Sequence, residues 1–162
     1  MAQGDFVPFE TNGTKIPGAM QYAVASGTTA SIKAGEPVQK LAGAAYVTLA
    51  ATNFPTTTLR HVGIAASASN ETATAAGTVQ VITSTPGTFF LGTPNVAATW
   101  ATQAAYNALI GSRVLIDLTT GTFTLLASDS AGNGCIVEYL DLTRYPGKVC
   151  FSFSPLSYYA NV

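Results

Sequence analysis

The chain predicts an all-β fold, mainly antiparallel: a small β-barrel or sandwich with one short helix and extended N- and C-terminal arms. Three observations carry that prediction. Apolar residues recur at every second position in short runs such as "TVQVITS" and "VCFSFSP", the period that turns one side of a strand toward a core. The runs return at intervals of roughly ten residues, parted by turns such as "TPG", "TTG" and "YPG", which is the rhythm of sandwiches and barrels. Only "TWATQAAYNALIGS" carries apolar and small residues at helical spacing.

Residues 1–18 read as an arm. Pro8 and Pro17 oppose helix and central strand alike, and Phe6, Val7 and Phe9 need a surface to pack on. Residues 19–153 read as one β domain. "MQYAVAS" alternates faces. "GTTASIKAGEPVQKL" reads as two short strands around Ala34–Gly35–Glu36–Pro37. "AAYVTLAA" sets Tyr46, Thr48 and Ala50 on one side and Val47 and Leu49 on the other. "TNFPTTTLR" is a loop, and "HVGIAAS" is a strand whose internal Gly63 marks a bulge or a close approach of two backbones. The polar stretch "ASNETATAAG" leads to the β-branched strand "TVQVITS" and then to a short strand in "TPGTFFLGTP".

The helix is expected near residues 99–110, with Thr99 as its N-cap and Gly111 as its stop. Short and Ala-rich, it depends on tertiary support, expected from Trp100, Leu109 and Ile110. "RVLIDLTTGTFTLLAS" is a hairpin turning at Thr119–Thr120–Gly121, with Val114, Ile116 and Leu118 on one face and Phe123 and Leu125 returning. A Gly/Asn turn "DSAGNGC", a strand "CIVEYLDL", a turn "TRYPGK" and a strand with Val149, Phe151 and Phe153 in phase complete the domain. Residues 154–162 form a second arm, holding Tyr158 and Tyr159 and no charged side chain.

Charged residues make up 9% of the 162, against roughly 25% in an ordinary soluble domain. Ala, Thr, Gly and Ser fill the difference. So little charge does not keep an isolated monomer in solution, and much of the surface is expected to be covered by neighbours or coated with hydroxyls. Net charge is −1, and Lys15, Lys33, Lys40, Arg60, Arg113, Arg144 and Lys148 are scattered along the chain. Binding of nucleic acid needs clustered cations, so no nucleic-acid partner is expected. The N-terminus lacks the basic start and apolar core of a secretory signal, and no apolar run approaches the ~20 residues of a membrane helix. Synthesis in a cytoplasm and no membrane partner are the expectations. Cys135 and Cys150 read as two buried thiols, with no zinc spacing around them; a bridge would need a Cα separation that sequence alone does not give.

The inventory for catalysis is thin, and neither enzyme activity, cofactor nor metal is expected. His61, the only histidine, opens an apolar strand segment, the setting of a strand-end or surface residue. Ser67 and Ser69 lie in no Gly-x-Ser-x-Gly elbow. Alternation sets Glu138 and Asp141 on opposite faces, which argues against a carboxylate pair and leaves Asp141 with Arg144 at a turn. Asp117, Asp129 and Asp141 do not make a calcium loop, and no phosphate-cradling loop precedes a helix.

One phrase occurs twice in this poorly charged chain: Ala-Gly-x-x-Val-Gln in "KAGEPVQ" and Ala-Gly-x-Val-Gln in "AAGTVQ". Each reads as a Gly turn feeding a strand whose Val faces the core and whose Gln faces out. With its surroundings the phrase carries a resemblance. The chain resembles the β-barrel segment of small capsid decoration proteins, also called cement or head-stabilisation proteins, of tailed bacteriophages. The shared features are an "AGxPV" turn at Ala34–Val38, "GIA" at Gly63–Ala65, a Gly turn at Gly77 and a "VxV" strand at Val79 and Val81. "YNALIGSRVLIDLTTGTFTL" and "YPGKVCFSF" are also similar to phage virion proteins, so the resemblance spans about Ala19 to Phe153.

The resemblance implies a non-enzymatic virion protein on the outer capsid surface, bound to the major capsid protein at capsomer junctions, often as a homotrimer, and stabilising the head. Clamping arms would supply the contact: an extended segment of ~12 residues reaches about 40 Å. Residues expected at the partner interface are Phe6, Phe9, Tyr158 and Tyr159 in the arms, with Phe54 and Trp100 beside them. The alternative is a receptor- or glycan-binding β domain of a virion fibre or tail, with Asp129, Asn133 and Tyr139 as sugar contacts.

Overall fold

The computed structural model describes residues 6–9, 18–27, 31–41, 43–50, 59–85, 87–119, 121–126 and 134–154. Among them the strands are β1 (Val7–Phe9), β2 (Ala19–Val24), β3 (Pro37–Leu41), β4 (Thr48–Leu49), β5 (Leu59–Ala65), β6 (Gly77–Thr83), β7 (Phe89–Gly92), β8 (Arg113–Thr119), β9 (Thr122–Leu126), β10 (Cys135–Glu138) and β11 (Val149–Phe153). They pair into a six-stranded sheet of order β1-β7-β11-β10-β8-β9 and a five-stranded sheet of order β2-β6-β5-β3-β4. Every pairing between them is antiparallel. The all-β prediction therefore holds, in its sandwich-like form.

The five-stranded sheet is apolar on both faces because consecutive residues on its central strands are apolar. Val38, Ala65, Val79 and Val81 join Val24, Ile32 and Val47 in one small cluster. Ile64 and Ile82, each one residue out of phase, belong to the larger core shared with the other sheet. Enclosing the first cluster requires the sheet to roll, and Val24 meets Val47 at a parallel bridge between the two sheet edges. The six-stranded sheet rolls likewise. The chain leaving β7 crosses to β9, where Pro94 bridges Leu125 and Leu125 N–H donates to the Thr93 carbonyl. A single bridge closes neither sheet into a barrel.

The repeated phrase proves to be two solutions of one problem. β3 and β6 flank β5, so the two copies border the same strand from opposite sides, and Val38 and Val79 both enter the small cluster. Gly35 has φ +87°, where other L-residues are strained. Gly77 has no such φ; a Cβ there would lie 2.2 Å from the Glu71 nitrogen, so the backbone of its neighbour demands glycine. The expectation that both glutamines face out fails for Gln39, which is buried. The register slips between Val38 and Gln39, where β5 carries the extra residue Val62; Gln39 alternates to the face opposite Val38, and that face is covered as well. Among the described residues of "GTTASIKAGEPVQKL" one strand forms, β3; Ile32 is tied instead to Ser69, whose Oγ accepts from Ile32 N–H and whose N–H donates to the Ile32 carbonyl, each at 2.9 Å.

Two further expectations need correction. The helix is shorter and later than predicted. A 3-10 turn covers Ala97–Trp100, and α1 runs over Gln103–Asn107 with Thr102, not Thr99, accepting from the Ala105 N–H. Trp100 and Leu109 pack into the core as expected, but Ile110 is exposed. The N-terminal arm is, over Phe6–Phe9, part of the domain. β1 pairs with β7, and Phe6 N–H donates to the Gly35 carbonyl at 2.9 Å. Pro8 is tolerated because β1 is an edge strand, where a missing N–H costs no ladder bond.

Cys135 and Cys150 are both buried and neither is in a disulfide. Cys135 stands in register with Phe153, and Cys150 lies three places along β11 from Phe153. An odd separation puts the two thiols on opposite faces of the sheet, beyond bridging distance.

Candidate functional site: buried anchors and exposed apolar surfaces

Several of the described side chains that could carry chemistry are engaged in structural hydrogen bonds. Tyr106, at the end of α1, sends its hydroxyl into the end of the β10–β11 ladder. It donates to the Glu138 carbonyl at 2.7 Å and accepts from Cys150 N–H at 2.9 Å, between residues that are register partners. Gln103 works the same way one turn earlier, its amide donating to the Leu140 carbonyl at 3.0 Å and accepting from Leu142 N–H at 2.9 Å. The helix thus serves as a side-chain strand capping that end of the six-stranded sheet.

Burial pushes the Tyr106 phenol well above its ordinary range and the Cys150 thiol up to about 12, with the Glu138 charge adding to the thiol's shift. In the unfolded chain the same thiol loses its proton near 9.0. Between those values the unfolded state holds fewer protons than the native one, so stability is complete below about pH 9 and falls as pH rises toward about 12. Urea unfolding at about pH 8 and about pH 10 should show the loss, and Cys150→Ala should flatten part of it.

Ser67 Oγ accepts from Gln80 N–H at 3.3 Å, and Ser69 Oγ donates to the Ile32 carbonyl at 3.2 Å. Both pin loops to the five-stranded sheet. Ser152 Oγ donates to Glu138 at 2.6 Å. Asp141 lies beyond β10, so strand alternation does not relate it to Glu138. Its carboxylate accepts from Thr143 Oγ1 at 2.6 Å and Thr143 N–H at 2.9 Å. Those bonds first, and the Arg144 charge after them, hold its carboxyl below the usual range. Among the described residues no group of three or more His, Cys, Asp or Glu could hold a metal ion, and no helix is long and apolar enough to cross a membrane.

The expected interface residues part company. Phe6 is 1% exposed and Trp100 2%. Phe6 stacks edge-on against Phe151 at 5.2 Å, and Trp100 meets Tyr106 at 5.9 Å. Both are corrected from interface to core, since a side chain without surface has nothing to offer a partner. Phe9 is half-buried against Tyr145, ring centroids 5.0 Å apart. Phe54, Tyr158 and Tyr159 lie outside the described residues, as do Asp129 and Asn133.

Among the described residues, the large apolar side chains left exposed are others: Met20, Leu41, Tyr46, Val96, Ile110 and Tyr139. Leu41 and Tyr46 lie at the β3–β4 hairpin turn, where Ala44 N–H donates to the Leu41 carbonyl at 3.0 Å, and the Val24–Val47 bridge sets that turn beside β2, which carries Met20. On the other sheet, Gly111 N–H donates to the Val137 carbonyl and Val137 N–H to the Ser112 carbonyl. This extension of the β8–β10 ladder brings Ile110 alongside the Glu138–Tyr139 step. The alternation in "AYVTL" had already put Tyr46 on the side away from Val47; nothing in the sequence marked Ile110, whose place depends on where the helix stops. Comparison with known proteins finds no matching family model, no matching curated protein and no matching solved structure.

Proposed function

We propose that the protein is a non-enzymatic capsid decoration protein that binds the outer surface of a phage head at capsomer junctions as a homotrimer. The observation that carries the proposal is where the motifs of the resemblance fall. The Ala34–Val38 turn, Gly63–Ala65, and Gly77 with Val79 and Val81 lie on β3, β5 and β6, three adjacent strands of one sheet. They are tied directly: Gly35 N–H donates to the Ala65 carbonyl at 2.8 Å, Ala65 N–H to the Glu36 carbonyl at 2.8 Å, and Ala66 N–H to the Gln80 carbonyl at 2.7 Å. Motifs scattered over some fifty residues of sequence thus form one folded unit, as a family signature does. Support also comes from a 9% charged composition combined with exposed Met20, Leu41, Tyr46 and Tyr139: a surface that is cheap to desolvate on assembly.

Because Phe6 and β1 belong to the core, a test of clamping arms removes residues 1–5 and 155–162 and leaves Phe6 in place. The full chain is expected to co-sediment with undecorated phage heads and raise their resistance to heat, and the doubly truncated chain to bind at least tenfold more weakly. Truncation without effect would put the arms out of the mechanism. Failure of the full chain to bind heads, with binding to a glycan array instead, would replace the proposal by the receptor-binding alternative, for which exposed Tyr139 is the described candidate.

A further inference from the structure

We infer that β2 is a docking edge for a second copy of this chain, the two β2 strands pairing antiparallel about a two-fold axis at Met20. The contact goes beyond the proposed function and does not depend on it, since a two-fold pairing builds no three-fold ring. Among the described residues the edge strands of the two sheets are β1, β9, β2 and β4. β1 is three residues long and contains Pro8, and β4 is two residues long. β9 is covered: Leu125 N–H donates to the Thr93 carbonyl at 2.9 Å and Asn95 N–H to the Leu125 carbonyl at 3.0 Å. β2 has six residues, pairs with β6 in unbroken register and is exposed over Ala19–Gln21. It carries no charge, no proline and no bulge, the devices that keep a free edge from pairing.

The ladder shows which backbone groups of β2 face outward. Val47 N–H donates to the Ala23 carbonyl at 2.9 Å, so Ala23 turns its groups away from β6, and alternation gives Gln21 and Ala19 the same direction. The register partners on β6 agree. The Gln80 carbonyl accepts from Ala66 N–H and the Thr78 carbonyl from Asn70 N–H, both on the side away from β2. The Val24–Val47 bridge is isolated, and no bond continues it from Ala45 to Gln21. No described residue bonds the outward N–H and C=O groups of Ala19 and Gln21.

This stretch is bounded by the Val47 bond at Ala23 and by Pro17, which has no N–H to donate. One antiparallel self-pairing fits between those limits. Ala19 stands opposite the second copy's Gln21, and Gln21 opposite its Ala19, each pair exchanging both of its N–H···O=C bonds. Met20 then faces the second copy's Met20. Its side chain is 57% exposed, and a flexible thioether packs well on its own kind. That match selects a second copy over an unrelated strand. Leu41 and Tyr46, exposed at the neighbouring turn, enlarge the apolar surface that the pairing covers.

The test uses the full chain. Gln21→Pro removes an outward N–H and none of the bonds to β6, and an edge strand tolerates proline there; thermal melts check that the variant is folded. In sedimentation equilibrium at high micromolar concentration, the wild-type mass is expected to be at least twice that of Gln21→Pro. Cross-linking reads the register without that variant. Residues facing each other in a non-hydrogen-bonded pair lie about 4.5 Å apart at Cα, within the span of a disulfide, and the two natural cysteines are buried. Met20→Cys is therefore expected to form a covalent dimer under mild oxidation at least tenfold faster than Gln21→Cys, whose own mate lies two places further along the strand. Equal masses for wild type and Gln21→Pro, or equal cross-linking rates, would overturn the inference. Co-sedimentation with heads is read separately. Gln21→Pro that keeps the wild-type mass and binds heads defeats the two-fold contact and leaves the decoration proposal standing; a chain that cross-links through Met20→Cys and ignores heads does the reverse.

Discussion

Phe151→Ala is expected to lower the unfolding free energy by about 3–5 kcal/mol, a large share of the roughly 5–15 kcal/mol that holds a domain of this kind together. The ring is fully buried and is the hub of an aromatic cluster. It meets Phe6 edge-on at 5.2 Å, Phe153 edge-on at 5.7 Å and Phe90 tilted at 5.8 Å. Edge-to-face geometry adds to the area that is buried, so truncation removes the transfer term, the ring contacts and the support of three other rings together. Phe6 suffers most, because the backbone that holds it has a three-residue ladder with β7 and the bond to Gly35. Urea or thermal unfolding measures the loss. A double-mutant cycle with Phe6→Ala should show the two changes costing less together than separately, since each deletes the same contact. Additive costs would mean that Phe6 does not depend on Phe151.

That dependence also explains what the sequence left open. Phe6, Val7 and Phe9 announce that the N-terminal segment must be buried, but an apolar run looks the same whether it packs on its own sheet or a neighbour's. What decides is the free edge of β7, and the β7–β11 pairing that builds it spans residues far apart in the chain. Strands set by local alternation, such as β6 with Val79 and Val81, were legible, and so was the β8–β9 hairpin, whose turn residues stand where Thr119 pairs with Thr122. The helix start was less so. Thr99 and Thr102 are equally good caps in isolation, and the choice follows from burial of Trp100, which the local sequence does not encode. The exposed pairs were hidden for the same reason. Leu41 and Ile110 are ordinary core residues by composition, and only the ends of the ladders leave them outside.

Gly63→Ala is expected to be still more damaging, and to prevent the five-stranded sheet from forming its native register. Gly63 sits in β5 between Val38 of β3 and Thr83 of β6. A Cβ on it would lie 2.0 Å from the Ile82 carbonyl oxygen, 2.8 Å from the Ile82 carbonyl carbon and 3.0 Å from the Thr83 Cα. These are backbone atoms of a central strand, so no side chain can swing aside to relieve the clash. Separating β5 from β6 would relieve it, at the expense of the ladder that carries Ile64 and Ile82 into the main core and Ala65 and Val81 into the small one. Overpacking of a side chain typically costs about 1–3 kcal/mol; an obstruction by backbone exceeds that, and insoluble or unfolded protein is the expected outcome. Gly18→Ala is the matched control, since nothing lies within 4 Å of a Cβ at that position, and it should change stability by no more than about 0.5 kcal/mol. Comparing soluble yield and circular dichroism of the two variants decides the matter. A folded Gly63→Ala protein with native melting would mean that β5 and β6 do not pair as closely as the Gly63↔Thr83 register requires.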